Sequence, residues 1–308
     1  MIDAAFYCVA DERYFLGAVA VVNSLRLHGH TEPVFVGDCG LTSRQRELLD
    51  PHATVVERAS EAPGWLQKTA APLRHPAEVM LLIDADMVVT RPLGPLIEEA
   101  SADRVVAFEN DRQRFVAGWG ELLDLGPARP RPYVSSGLVG LGGATGREVL
   151  RLLDDRQARV DFERTFWRRD EPGYPFLYAD QDVLNAILCT RIAPDRITSL
   201  EHRLAANPPF DGLRMIDERT LRCVYADGEE PYVLHHFERK PWLVPIRHGL
   251  YSRLLSRLWL GSDVALRLPE DLIPLRMRSG VLARAERTRV DAIDVFRRYV
   301  LKRPTTAP

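Results

Sequence analysis

Leu81-Leu82-Ile83-Asp84-Ala85-Asp86-Met87-Val88 ends an apolar run on two carboxylates one residue apart. Along a β-strand that spacing puts Asp84 and Asp86 on the same side. At the strand's end, where the backbone opens into a loop, both can reach one hard cation. Mg²⁺ and Mn²⁺ are commonly held by one or two carboxylates together with phosphate oxygens of a substrate. The pattern points to a metal that carries a phosphate-bearing substrate; its bland counterpart is a solvated acidic loop. Two further groupings carry chemistry: Asp180-Gln181-Asp182, and His235-His236 with Lys240 a few residues on. Of 41 basic residues only three are lysines, Lys68, Lys240 and Lys302. Where arginine replaces lysine almost everywhere, each remaining lysine draws notice.

Two chemistries compete for the first pair. Asp84-Ala85-Asp86-Met87-Val88 fits the opening of haloacid-dehalogenase-type phosphatases, with one Asp a nucleophile and the next a general acid/base. That motif usually closes the first strand, whereas a long patterned segment precedes it here, and no Gly-Asp-x-x-x-Asp follows. The competing chemistry is glycosyl transfer from a nucleotide sugar, where the same carboxylates bind a metal that neutralises the diphosphate leaving group.

The elements that must position these groups alternate. Ala4 to Val9, Val34 to Val36, Thr54 to Val56, Val79 to Ile83 and Val105 to Phe108 read as strands. Tyr14 to Leu27, Ser43 to Leu49 and Pro95 to Ala100 read as helices. Such alternation implies an α/β fold with a mixed, mostly parallel Rossmann-like sheet flanked by helices, and ligands outside the carboxyl ends of the strands. Val134 to Leu141 reads as a strand, Gly146 to Asp155 and Asp180 to Leu188 as helices. Gly140-Leu141-Gly142-Gly143-Ala144-Thr145-Gly146 reads as a tight strand-to-helix turn in preference to a dinucleotide loop. The 308 residues, 46% hydrophobic and 27% charged, are those of an ordinary globular protein, and a net charge of −2 argues against a nucleic-acid partner. The start of the chain lacks a basic, apolar leader, and Cys8, Cys39, Cys189 and Cys223 form no Cys-x-x-Cys pair. Both features fit a cytoplasmic protein with reduced thiols.

Four segments in order resemble glycosyltransferase family 8, the GT-A enzymes that include glycogenin and bacterial lipopolysaccharide galactosyltransferases. They are Val9-Ala10-Asp11-Glu12-Arg13-Tyr14; Ile83-Asp84-Ala85-Asp86; Tyr133-Val134-Ser135-Ser136-Gly137; and Asp180-Gln181-Asp182-Val183-Leu184-Asn185. The ending, His235-His236-Phe237-Glu238-Arg239-Lys240-Pro241-Trp242, resembles His-Phe-x-Gly-x-x-Lys-Pro-Trp. The resemblance covers residues 4 to 245. It implies a GT-A domain over 1–245 and a basic helical C-terminal extension over 246–308.

The resemblance also implies roles. Ala10, Asp11 and Tyr14 would hold the uracil of a UDP-sugar, and Lys68, Asp84, Ala85, Ser135, Ser136, Asp182 and Lys240 would contact the rest of the donor. Ser135 stands where the family has Asn, which leaves the sugar's identity open. Asp84, Asp86 and a histidine would bind Mn²⁺ or Mg²⁺. His235 and His236 point to opposite faces of a strand, so one serves, and the His-Phe dipeptide favours His236. Gln181 and Asp180 would be the catalytic pair: the Gln181 carbonyl faces developing positive charge on the sugar, and Asp180 binds its hydroxyls. The reaction expected is retaining transfer of a hexose to an acceptor hydroxyl on a glycan, lipid, natural product or protein. A degenerate domain that binds nucleotide sugar without turnover is the alternative. Residues 276–303 carry nine basic and three acidic side chains with a partial apolar stripe, which suggests peripheral contact with a membrane or a helix packed on the domain.

Overall fold

The computed structural model describes residues 2–58, 64–206, 212–236, 239–245 and 249–299, with backbone alone at 65 and 294–299. Elements follow in chain order: β1 (Ile2–Ala10), α1 (Phe15–Leu27), β2 (Val34–Asp38), α2 (Ser43–Leu49), β3 (Thr54–Val56), α3 (Ala70–Arg74) and β4 (Ala77–Ile83). The middle holds β5 (Met87–Val89), α4 (Gly94–Ser101), β6 (Val105–Glu109), α5 (Trp119–Leu122), β7 (Val134–Gly142), α6 (Gly143–Gln157) and α7 (Asp180–Thr190). The last third holds β8 (Ile197–Leu200), β9 (Ala205–Ala206), β10 (Arg214–Asp217), β11 (Arg222–Val224), β12 (Val233–His235), α8 (Leu250–Leu260) and α9 (Val281–Tyr299).

Seven strands form one sheet in the order β3-β2-β1-β4-β7-β6-β8. β3, β2, β1 and β4 run parallel, β7 runs antiparallel to both β4 and β6, and β8 is parallel to β6. The near-continuous apolar strands follow from burial on both faces. In β4, Val79, Leu81 and Ile83 face one core while Met80 and Leu82 face the other. β1 divides the same way, with Phe6 and Cys8 against Tyr7. Leu81, fully buried, would cost about 2–5 kcal/mol on truncation to Ala. A small sheet, β5-β12-β9, crosses the carboxyl end of β4. The Gly-rich stretch is the tight β7–α6 turn expected of it: Gly143 sits at φ 58°, a conformation open to glycine.

The chain after 245 does not stand apart. Tyr251, Leu254, Leu255, Leu258 and Trp259 of α8 belong to the same core as α1. Asn23, fully buried on α1, donates to the carbonyls of Leu258 (2.8 Å) and Leu266 (2.9 Å) and accepts from the Leu266 N–H (2.8 Å). The expected division at 245 therefore coincides with no break in packing. In the basic tail, Ala283 and Val290 are buried and Arg287 donates to the carbonyls of Arg276 and Arg278. Residues 300–303 of that tail lie outside the described residues. Among the described residues no helix is long and apolar enough to cross a membrane.

Candidate active site

β4 ends at Ile83, Asp84-Ala85-Asp86 turns the chain, and β5 begins at Met87. The turn is pinned: the Asp84 N–H donates to the Gly137 carbonyl (2.8 Å) and the Met87 N–H to the Asp84 carbonyl (3.1 Å). α1 packs directly beneath it, because a Cβ on Gly17 would lie 2.0 Å from the Ala85 carbonyl oxygen. Across the small sheet, His235 closes β12 opposite Met87. Its Nε2 lies 3.2 Å from Asp86 Oδ1 and 4.0 Å from Asp84 Oδ2.

One ligand atom from each of Asp84, Asp86 and His235 lies within 4.8 Å of the others. Ligands at about 2.1 Å from an ion stand at most about 4.2 Å apart, so small side-chain movements would close this triad on one cation. Carboxylate oxygens with an imidazole suit Mn²⁺, and the donor set fits such an ion.

Two lysines flank the pair. Lys68 Nζ bridges Asp84 Oδ1 (2.6 Å) and Asp180 Oδ2 (3.0 Å). Lys240, 2% exposed, donates to Asp86 and to the His236 carbonyl. The two carboxyls respond in opposite directions. Burial pushes Asp84 up, against the attraction of Lys68, and the Asp86 charge adds to the push. Burial would raise Asp86 as well, but His235 and Lys240 hold it well below the carboxylate range. Burial disfavours the Lys68 ammonium, yet Asp180 and Asp84 hold its pKa well above the ordinary value.

α7 meets this centre at its first turn. Ala179 precedes it at φ 49°, a strained conformation for alanine that aims the helix start at Lys68. Gln181 Nε2 donates to the Tyr133 hydroxyl (3.0 Å), and its Oε1 accepts the Ser136 N–H (3.3 Å). Ser135 and His235 share the wall of a shallow, open pocket that Glu109, Asp111 and His202 also line.

No protein-family model matches the sequence, and no curated protein does. Solved structures match. The galactosyltransferase LgtC, in complex with donor and acceptor sugar analogues, aligns over 87% of this chain and 98% of its own, with TM-score 0.54 and 16% identity. The chain has a GT-A glycosyltransferase fold. A Gln-to-Glu active-site variant of LgtC aligns over the same shares at TM-score 0.55 and 15% identity. The bifunctional glycosyltransferase WbbM in its apo form aligns at 0.51 and 14%, over 86% of this chain and 50% of WbbM.

Within the GT-A frame most of the expected residues converge. Asp84, Asp86, Lys68, Lys240, Asp180, Gln181, Ser135 and Ser136 gather where the carboxyl end of β4 meets the amino end of the antiparallel β7. Asp11 sits past β1, its Oδ1 accepting the N–H groups of Arg13 and Tyr14 (both 2.9 Å). Tyr14 lies beside the same centre: the Lys240 ammonium is 5.8 Å from its ring, which meets Trp242 edge-on. Burial raises the Tyr14 phenol pKa, with Asp86 and Asp84 adding to the effect. Ala10 and Ala85 are buried, the Ala10 carbonyl accepting the Cys39 N–H (2.8 Å) and the Ala85 carbonyl lying against Gly17.

Two expected residues sit differently from the rest. The histidine grouped with the carboxylates is His235, not His236. His235 lies on the ladder face that β5 presents to the turn. His236 turns away, its ring 5.0 Å from Tyr251 and its N–H donating to the Asp86 carbonyl (3.2 Å). Burial, with Lys240 nearby, lowers the His236 pKa to about 4, so it is neutral near pH 7. The second is Asp182, expected at the donor. It is fully buried, and its oxygens accept from Tyr133 Oη (2.7 Å), Arg114 Nε (3.1 Å) and the Tyr178 N–H (2.8 Å).

Sequence reading missed three contributors. Tyr251, whose hydroxyl donates to the Asp86 carbonyl, comes from α8, beyond every motif. Arg114 is one arginine among 38 in a loop-like stretch, with no signal to single it out. Gly17 could have been noticed as a glycine in the apolar first half of a helix, Phe15 to Val22, where close approach is its usual reason.

Proposed function

We propose that this chain is a metal-dependent, retaining glycosyltransferase that moves a hexose from a nucleotide sugar, UDP-linked, to an acceptor hydroxyl. The observation that carries the reading is the convergence of Asp84, Asp86 and His235 with Lys68 and Lys240 at the ligand-binding edge of a GT-A fold, with Gln181 alongside. A phosphatase nucleophile is disfavoured, since each carboxylate of the pair is engaged by its own lysine.

Asp84, Asp86 and His235 would hold Mn²⁺ or Mg²⁺, which when bound offsets charge developing on the diphosphate leaving group. Lys240 adds a fixed ammonium beside that group, a preorganised charge that needs no reorganisation during reaction. Tyr14 offers a ring for the base to stack on, and Asp11 a carboxylate for its N3–H. Gln181 Oε1 faces the sugar, where a carbonyl dipole stabilises an oxocarbenium-like state. Asp180, steadied by Lys68, accepts from sugar hydroxyls. The acceptor hydroxyl attacks from the leaving-group side and its proton passes to a donor phosphate oxygen. LgtC was solved with donor and acceptor sugar analogues, which supports a sugar-bearing donor here as well.

The test is a panel of nucleotide sugars assayed for release of nucleoside diphosphate, with Mn²⁺, with Mg²⁺ and with EDTA. Turnover of one UDP-sugar that EDTA abolishes is the expected result. Undiminished turnover in EDTA would remove the metal from the reading, and binding without turnover across the panel would leave a nucleotide-sugar-binding domain.

A further inference from the structure

The amide of Gln181 is gripped from two sides. Its Nε2 lies 3.0 Å from Tyr133 Oη and its Oε1 3.3 Å from the Ser136 N–H. Tyr133 is 1% exposed, and its hydroxyl lies 2.7 Å from Asp182 Oδ1. A phenol has one proton. Asp182 takes it, along with the Arg114 Nε–H and the Tyr178 N–H. With its proton committed, the Tyr133 oxygen can only accept, so the group that Gln181 offers it must be N–H. The Ser136 N–H can only donate, so the group it meets must be the carbonyl. Both ends of the amide are thereby specified independently. A flipped amide would set acceptor against acceptor at Tyr133 and donor against donor at Ser136, losing both bonds in a half-buried place.

We propose that Tyr133, backed by Asp182 and Arg114, is a positioning residue that fixes the Gln181 amide with its carbonyl toward the donor sugar. This rests on the functional reading above. It gives Asp182 a task other than ligand contact: the carboxylate fixes the phenol's proton, the phenol fixes the amide, and the amide presents the carbonyl. Asn185 fastens the other side of the strand–helix pair. Its amide donates to the Val134 carbonyl and to the Gln181 carbonyl, while its Oδ1 accepts the Val134 N–H (all 2.8 Å). The backbone of Gln181 is thus held separately from its side chain; removing the Tyr133 hydroxyl releases the amide and takes one donor from Asp182, which keeps Arg114 and the Tyr178 N–H.

The test uses Tyr133→Phe in the full chain, with thermal melting recorded to confirm folding. Two readouts separate positioning from mere structure. The first is the side-chain amide of Gln181 in protein labelled with ¹⁵N-glutamine. The chain has five glutamines, so the signal is assigned by its loss in Gln181→Glu. The second is the kcat and KM for the UDP-sugar identified in the panel. The expected result is a displaced Gln181 signal and a kcat lower by on the order of 10-fold to 10²-fold, the scale at which misplacing a reacting group is felt, with donor KM changed less than about twofold. An unmoved Gln181 signal overturns the proposal whatever the activity. A moved signal with unchanged kcat overturns it too. If the parent chain turns over no nucleotide sugar, the functional reading fails, while the amide signal still decides whether Tyr133 sets the orientation. Should Tyr133→Phe not fold, Arg114→Lys loosens the same carboxylate from a partly exposed position and carries both readouts.

Discussion

The chain contains two Asp-x-Asp tripeptides at its centre, and they do opposite things. Asp84-Ala85-Asp86 lies on a turn between two strands, and both carboxylates reach the same histidine. Asp180-Gln181-Asp182 opens a helix, where residues two apart point roughly 200° away from one another. Asp180 accordingly meets Lys68 at the cleft, while Asp182 turns into the core beside Tyr133 and Arg114. The same three-residue pattern yields a converging pair on one backbone and a divided pair on the other. The turn gathers charge where a ligand can use it. The helix splits one carboxylate for the cleft from one for the scaffold.

The comparison breaks most severely at Asp86. Asp86→Asn should abolish metal-dependent turnover. It should also destabilise the fold, because Lys240 at 2% exposure loses its counter-charge, and an orphaned buried charge costs about 3–5 kcal/mol. Asp86→Asn combined with Lys240→Met should recover the melting temperature without recovering activity. A single variant as stable as the parent would show that the ion pair contributes nothing to the fold.

On the helix the effects should separate. Asp182→Ala takes the counter-charge from Arg114 and the acceptor from its Nε–H, the Tyr133 hydroxyl and the Tyr178 N–H, and should cost about 3–5 kcal/mol in urea denaturation. Asp180→Ala removes one of two carboxylates on Lys68, which keeps Asp84, so stability should fall by less than for Asp182→Ala while donor turnover falls. Equal destabilisation by the two would contradict the divided pair. The histidines give a smaller contrast. His235→Ala should raise the Mn²⁺ concentration for half-activation by at least about tenfold, whereas His236→Gln should leave it unchanged. A shift in the second variant alone would return the metal role to His236.

Much of this was legible in the residues. The apolar run of β4 ending on carboxylates, the alternation that makes a layered sheet, and two lysines kept among 38 arginines all pointed to the right edge of the fold. The choice between His235 and His236 was not legible. Strand period shows that the two point apart, but which one faces the turn depends on the register of β12 against β5, a pairing between segments distant in the chain. The surroundings of Asp182 were not legible for a related reason. A resemblance supplies the tripeptide, yet burial of one carboxylate depends on what packs against the helix, and Arg114 carried no mark. The packing of α8 on α1 was not legible either, because Asn23 and Trp259, which tie the two helices together, look like ordinary core and helix residues until their partners are known.

The smallest effect tests how tightly the turn's site is walled. A Cβ on Gly137 would lie 2.5 Å from Met87 Cε, 3.1 Å from His235 Cε1 and 3.3 Å from Asp84 Oδ2. The nearest of these is the free end of a flexible thioether chain, which can swing aside. The Gly137 carbonyl still accepts the Asp84 N–H, since a methyl group leaves that bond in place. Gly137→Ala should therefore cost the fold about 1 kcal/mol, the low end for overpacking. The imidazole and the carboxylate have less freedom, because His235 is fixed by the β12–β5 ladder and Asp84 by Lys68. Pressure from the new methyl should reach them as a widened triad. The expected signature is near-parental melting with a several-fold rise in the Mn²⁺ needed for half-activation, and no comparable change for alanine placed at the open Gly94. Metal dependence identical to the parent would show that the β7 wall does not set the spacing between His235 and Asp84.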